Sequence, residues 1–167
     1  MSTLIHQTQQ CFELLTQFLQ QLPEARYQQA YPQFFGGTIG KHVRHILEFY
    51  QQLLAAEAAE SVNYDARERQ LALENKPQQA LDVIDQLSRL LAAPIHDRAL
   101  AVEGAVLVDV GPVGSTFRRE LYYAYEHMVH HMALIKVGCF GLEDFQFPET
   151  FGLAYATAKH REVACAQ

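Results

Sequence analysis

Tryptophan is missing from this 167-residue sequence, and its absence excludes nothing. The other shortages say more. There are only three cysteines, Cys11, Cys139 and Cys165; they are far apart and odd in number, with no CxxC spacing. They provide no disulfide framework, and a reduced, cytosolic compartment suits them best. No uninterrupted apolar stretch approaches the length needed to span a bilayer, so no membrane partner is expected. The opening MSTLIHQTQQ has no basic region followed by an apolar run, so no secretory leader is expected. Positive charge is also short. Thirteen Lys and Arg against nineteen Asp and Glu leave a net charge of −6. That balance argues against nucleic acid as a partner. There is no internal repeat and no low-complexity segment, and residues 1–167 read as one domain.

What is present is an ordinary globular core, 49% apolar, in a chain long enough to bury it. Residues 3–22 carry Leu4, Ile5, Phe12, Leu15, Phe18, Leu19 and Leu22 at helical spacing, with Ser2 or Thr3 as cap and Pro23 as stop. Residues 23–37 turn to Tyr, Pro, Phe and Gly, which is loop composition. A second helix is predicted over Thr38–Ala59, capped by Thr38. One stripe is Ile39, Val43, Ile46, Tyr50 and Leu54; a parallel one is His42, His45, Phe49 and Leu53. Two stripes suit a helix covered on more than one side. Residues 60–75 are polar and read as a connection with a short turn. Pro77 opens a third helix that ends near Pro94. Residues 99–113 are dense in β-branched side chains and read as a short β-hairpin or an extended crossover between helices three and four. A long helix follows over Ser115–Val137, capped by Ser115 or Thr116 and ended by Gly138 or Gly141. The tail combines an aromatic docking segment with a last helical turn or two. The pattern predicts an all-α fold, a four-helix bundle with one long crossover.

Eight histidines are many for this length, and five of them fall in two helical clusters. A helix advances about 100° per residue, so His127 and His131 stack one turn apart and His130 lies beside them. Imidazoles at i, i+4 can aim at one ion. His42 and His45 form the second cluster. One histidine pair and a third ring from a facing helix supply the three ligands typical of a catalytic metal site. Spacing alone leaves open whether His127 pairs with His131 or with His130, and whether His42 or His45 completes the set. Glu48 is a candidate tautomer-fixing acceptor or general base, or a solvated surface carboxylate. Glu120 is a candidate proton carrier, as is His42. Arg119 and Tyr123 are candidates for substrate contact. Asn63, Tyr64, Asp65 and Arg67 are polar enough to line a pocket mouth but read as an ordinary polar connection, and Cys139 as a packed thiol. His6, His96 and His160 stand alone and are read as inert.

Two of these stretches resemble a known family. TIGKHVRHILEFY is similar to the helix-two motif of DinB-like proteins, and EHMVHHMALIK to their HxxHH motif. YfiT-type metal-dependent hydrolases share the pattern. The order of elements fits over most of the chain, but only these two motifs are specific. The resemblance implies a four-helix bundle with a long crossover. It implies one divalent metal per chain, zinc or nickel, held by His45, His127 and His131. His42 falls where many members have an apolar residue, and Glu48 stands where the family has an acid three residues after its ligand. Family activities include hydrolases and transferases or isomerases that use low-molecular-weight thiols. A small-molecule substrate and a homodimer are therefore expected, with exposed tail aromatics as a dimer contact. The alternative is a non-catalytic bundle that binds or senses a small molecule around a structural metal.

Overall fold

The computed structural model describes residues 1–56 and 60–165, and beyond residue 161 the backbone only. In chain order it contains α1 (Ser2–Gln21), α2 (Glu24–Gln28), β1 (Ala30–Tyr31), β2 (Gly37–Thr38) and α3 (Ile39–Ala55). Then come β3 (Ser61–Asn63), α4 (Leu71–Asn75), α5 (Pro77–Ala92), β4 (Ala99–Glu103), β5 (Val113–Thr116), α6 (Phe117–Gly138) and α7 (Tyr155–Cys165). The protein is mostly helical, with two small sheets. Among the described residues, no helix is long and apolar enough to cross a membrane.

Four long helices share one core. α3 packs on α5 and α6, and α1 packs on the same two helices. Of the successive long helices only α3 and α5 are close neighbours, so the 22–38 and the 93–116 connections cross between helices that are not. Each of those connections carries a β-hairpin. α3 is the most enclosed helix, as its two stripes require. Ile39, Val43, Ile46, Tyr50 and Leu54 are all buried, and so are Phe49 and Leu53. Thr38 caps it by accepting the Lys41 backbone N–H at 2.9 Å. The expected helix end at Ala59 lies outside the described residues. Thr116 caps α6 in the same way, accepting the Arg119 N–H at 3.2 Å. Ser115, the other expected cap, lies in β5. Gly138 is the last residue of α6, and Gly141 takes a left-handed turn at φ 85° beyond it.

Several expectations need correction. Ser2 and Thr3 do not cap α1. The Met1 carbonyl already accepts the Ile5 N–H at 3.1 Å, so both lie inside the helix. An all-α fold with one hairpin is too simple: β1 and β2 form a second hairpin, and β3 joins β4 in parallel, Ser61 opposite Ala101. β3 escapes a periodicity reading because only Val62 of its three residues is apolar and buried. Of the tail aromatics from Phe145 on, Tyr155 is exposed but the phenylalanines turn inward, so they form no exposed face. Phe145 and Phe151 are buried, and with Phe147 they surround Phe18 at ring distances of 5.5, 5.1 and 4.8 Å.

One close approach ties α3 to the segment after β3. A Cβ on Gly40 would run into the Glu74 carbonyl and the Tyr27 ring, and the Tyr27 hydroxyl donates to the Leu73 carbonyl at 2.5 Å. Gly40→Ala is expected to cost about 1–3 kcal/mol, the range for overfilling a tight site. Gly114→Ala meets nothing within 4 Å and is expected to be close to neutral. Urea unfolding of the two variants checks the contrast.

Candidate metal centre between two helices

α3 presents His42 and His45 toward α6, which presents His127 and His131. In His45, His127 and His131, one ring nitrogen each lies within 4.8 Å of the others. His127 Nε2 is 2.9 Å from His45 Nε2. The ring centroids of the three stand 4.5 to 4.9 Å apart. Of the alternatives left open by spacing, this is the set whose ring nitrogens come together: His130 is exposed at its edge, and His42 sits behind it, with Nδ1 2.9 Å from His131 Nδ1. Because His42 engages Nδ1 of His131, Nε2 is the nitrogen that ring has left to offer.

Aromatic rings hold the histidines in place. Phe49 stacks on His127 at 4.3 Å and 17°, and Phe34 meets His42 edge-on at 4.6 Å. Gly138 makes the second contact possible, since a Cβ there would occupy the Phe34 ring. Tyr123, 37% exposed, lies 5.7 Å from the His127 ring. Arg119 extends over Tyr123 at 5.4 Å, so both candidates for substrate contact are at the rim.

Burial is the main reason these imidazoles resist protonation, and their neighbours' charges add to it. His45 and His127 are each pushed down to about 4, His45 further by His127 and Arg67, and His127 further by His130 and Arg67. His131, nearest the other rings, is pushed down to about 2. His42 is lowered by burial and then by Lys41. At neutral pH all four rings are uncharged, which is the form a metal needs. The spacing also fits. Two nitrogens on one tetrahedral zinc at 2.0–2.1 Å sit about 3.3–3.4 Å apart, so His45 and His127 need to part by only a few tenths of an ångström. The three rings could therefore hold a divalent metal ion.

The two acids do not face this cluster as solvated bases. Glu48 is 1% exposed. Its Oε1 accepts the Gln70 N–H at 2.7 Å, and its oxygens lie 3.3 Å from Arg67 Nε and 3.6 Å from Arg44 Nε. Glu120 is equally buried, accepting from Tyr64 Oη at 3.1 Å, Ser115 Oγ at 2.6 Å and Arg119 Nη1 at 3.0 Å. Neither is the surface carboxylate that was the alternative. Both are anchors.

What they anchor is the segment taken for an ordinary connection. Tyr64 stacks on Phe49 at 4.7 Å, and its hydroxyl is pushed well above the usual tyrosine range by burial and Glu120. Arg67 lies over the other partner of that stack, 5.5 Å from the Phe49 ring centre. A cleft of about 290 Å³ opens beside the histidines, lined by His42, His45, His131, Phe34, Gly37, Lys41, Arg44, Arg67 and Arg69. Sequence reasoning weighed Tyr64 and Arg67 for a pocket mouth and set them aside, and it missed Arg69 and Lys41 as site residues. The one signal was two arginines and a tyrosine packed into residues 64–69 without helical periodicity. Cys139 is the packed thiol expected, buried and pushed up to about 12 by that burial.

No family model matches the chain, and no solved structure matches it. It is similar to FK506-binding protein 5 of Rhizopus delemar, 30% identical over an alignment of 105 residues that covers 59% of this chain. The chain spans 27% of that protein's length.

The lowered histidines couple folding to pH in the metal-free protein. The unfolded chain takes up protons through the ordinary 6.5, and the folded chain does so only near 4 for His45 and His127. Metal-free stability is therefore fully present above 6.5 and lost as pH falls toward 4. Urea unfolding at pH 7 and pH 5 should show that loss, and His45→Gln should flatten the slope between them.

Proposed function

We propose that this chain is a DinB-like, YfiT-type protein that binds one divalent ion through His45, His127 and His131. In this reading it is a hydrolase or thiol-dependent transferase acting on a small molecule. The observation that carries it is the convergence of three neutral imidazoles from α3 and α6 beside a cleft that leaves room for substrate. A fold of four long helices with crossing connections supports the same reading, since that is what the motif resemblance implies. Zinc and nickel both suit an all-imidazole donor set. The bound ion would supply Lewis acidity. Function is argued from the site because a fold alone does not specify one.

The chain's own residues take the following parts. His42 steadies His131 through its Nδ1 and borders the cleft, which makes it the best-placed proton carrier. Phe49 and Phe34 keep water from the backs of the rings. Glu48 and Glu120 hold the cleft wall by fixing Arg67 and Tyr64, and in this reading their role is positioning. Tyr123 and Arg119 stand where a substrate would enter on the α6 side. A cytosolic setting and a low-molecular-weight thiol as co-substrate belong to the same proposal. The second reading is a metal-stabilised module that binds a small molecule without turning it over. The rigid aromatic packing around the rings favours it as far as it goes.

Protein purified without a nickel column should carry about one divalent ion per chain, as one three-ligand site implies. His127→Ala should lose that ion while keeping its helical circular dichroism; undiminished metal would reject the ligand set. Consumption of a thiol or an ester by the loaded protein, absent from His127→Ala, separates enzyme from binding module. His42→Ala should keep the stoichiometry at saturating zinc but weaken affinity about 10–100-fold, the usual effect of removing a histidine ligand's hydrogen-bond partner. Competition with a chromogenic chelator measures it.

A further inference from the structure

The charge of the cleft runs against the charge of the chain. The whole sequence is net −6, yet Lys41, Arg44, Arg67 and Arg69 line this one cleft, and no Asp or Glu does. The carboxylates nearby neutralise only part of that charge. Arg44 pairs with Glu74 at 2.5 Å and shares Glu48 with Arg67. Among the described residues, Lys41 and Arg69 make no ion pair. Two cations without an ion-pair partner therefore border a half-open cleft beside His42 and His131. Three neutral imidazoles bring no negative charge of their own, so a divalent ion in the centre would make the cleft more positive still.

We infer that this cleft binds a small molecule through an oxyanion, a carboxylate or a phosphate group, held by Lys41 and Arg69 and directed toward the histidine centre. Guanidinium and ammonium groups are the side chains that recognise both oxyanions. About 290 Å³ lies at the lower limit for ligand pockets and suits a compact acid. Arg67 is already fixed, with Nη1 donating to the Tyr64 carbonyl at 2.8 Å and its head over Phe49, so it contributes field in a set position. Lys41 lies in the first turn of α3, where the helix dipole adds to its charge. The inference rests on the metal reading for the identity of the site and extends it to the ligand.

The test uses metal-free protein, with succinate and inorganic phosphate as probes, followed by calorimetry and by amide chemical shifts. Wild type should bind at least one probe, more weakly as salt is raised, with shifts at residues 39–45 and 64–70. Lys41→Gln combined with Arg69→Gln changes two exposed side chains and should weaken binding at least tenfold. Preference for succinate assigns a carboxylate, and preference for phosphate assigns a phosphate ester. Absence of binding by either probe, or equal binding by wild type and the double variant, overturns the inference. Metal content measured on separate aliquots tests the metal reading alone, so the two can fail independently.

Discussion

His45 on α3 and His127 on α6 meet with their Nε2 atoms 2.9 Å apart, and much else follows from keeping those two helices at that distance. Polar rings turned inward at a helix seam lose water and recover it only through each other or an ion. The seam tolerates them because apolar contacts on either side are dense: Ile46, Leu53, Leu121, Met128, Met132 and Ile135 are all buried. Phe49 belongs to both systems. It packs with the core on one side and faces His127 and Tyr64 on the other. A ring in that position transmits any shift of α3 to the histidines and to the 61–70 segment together.

The buried carboxylates show how charge is used to build rather than to react. Glu48 enters the interior one turn beyond Arg44 and meets Arg67 from a segment nineteen positions on. A buried acid with two arginines and a backbone N–H is held too firmly to move with substrate. Its effect is to sew a polar stretch onto an apolar helix. Glu120 does the same on α6 with Tyr64, Ser115 and Arg119. Each end of the cleft wall is thus pinned by one acid, and the wall carries cations inward that would otherwise point to solvent.

The parts legible in the sequence were those with a period. The α3 stripes, the Pro77 start of α5, the extended character of residues 99–113, the Thr38 cap and the choice of Ser115 or Thr116 as the α6 cap all express local rules that a few residues suffice to state. The i, i+4 relation of His127 and His131 is equally local. The choice of His45 over His42 came from the motif resemblance, since both lie on the same stripe and helical geometry cannot separate them. What stayed hidden was non-local. Tyr64 and Arg67 are ordinary polar residues until Phe49, Glu48 and Glu120 surround them, and no spacing rule links positions on three different elements. The tail aromatics were legible only in part: the segment docks as its composition suggests, but Phe18 lies far away in sequence, so nothing local says where Phe145 and Phe151 go.

Ser61–Asn63 can form its ladder only against Ala101–Glu103, on the far side of the whole of α5. Parallel strands joined through a helix close late, because the intervening chain must be ordered before any ladder bond rewards it. The stretch bearing Tyr64 and Arg67 therefore leans on a partner strand that lies beyond α5, and a change that unseats β4 reaches the cleft wall as well.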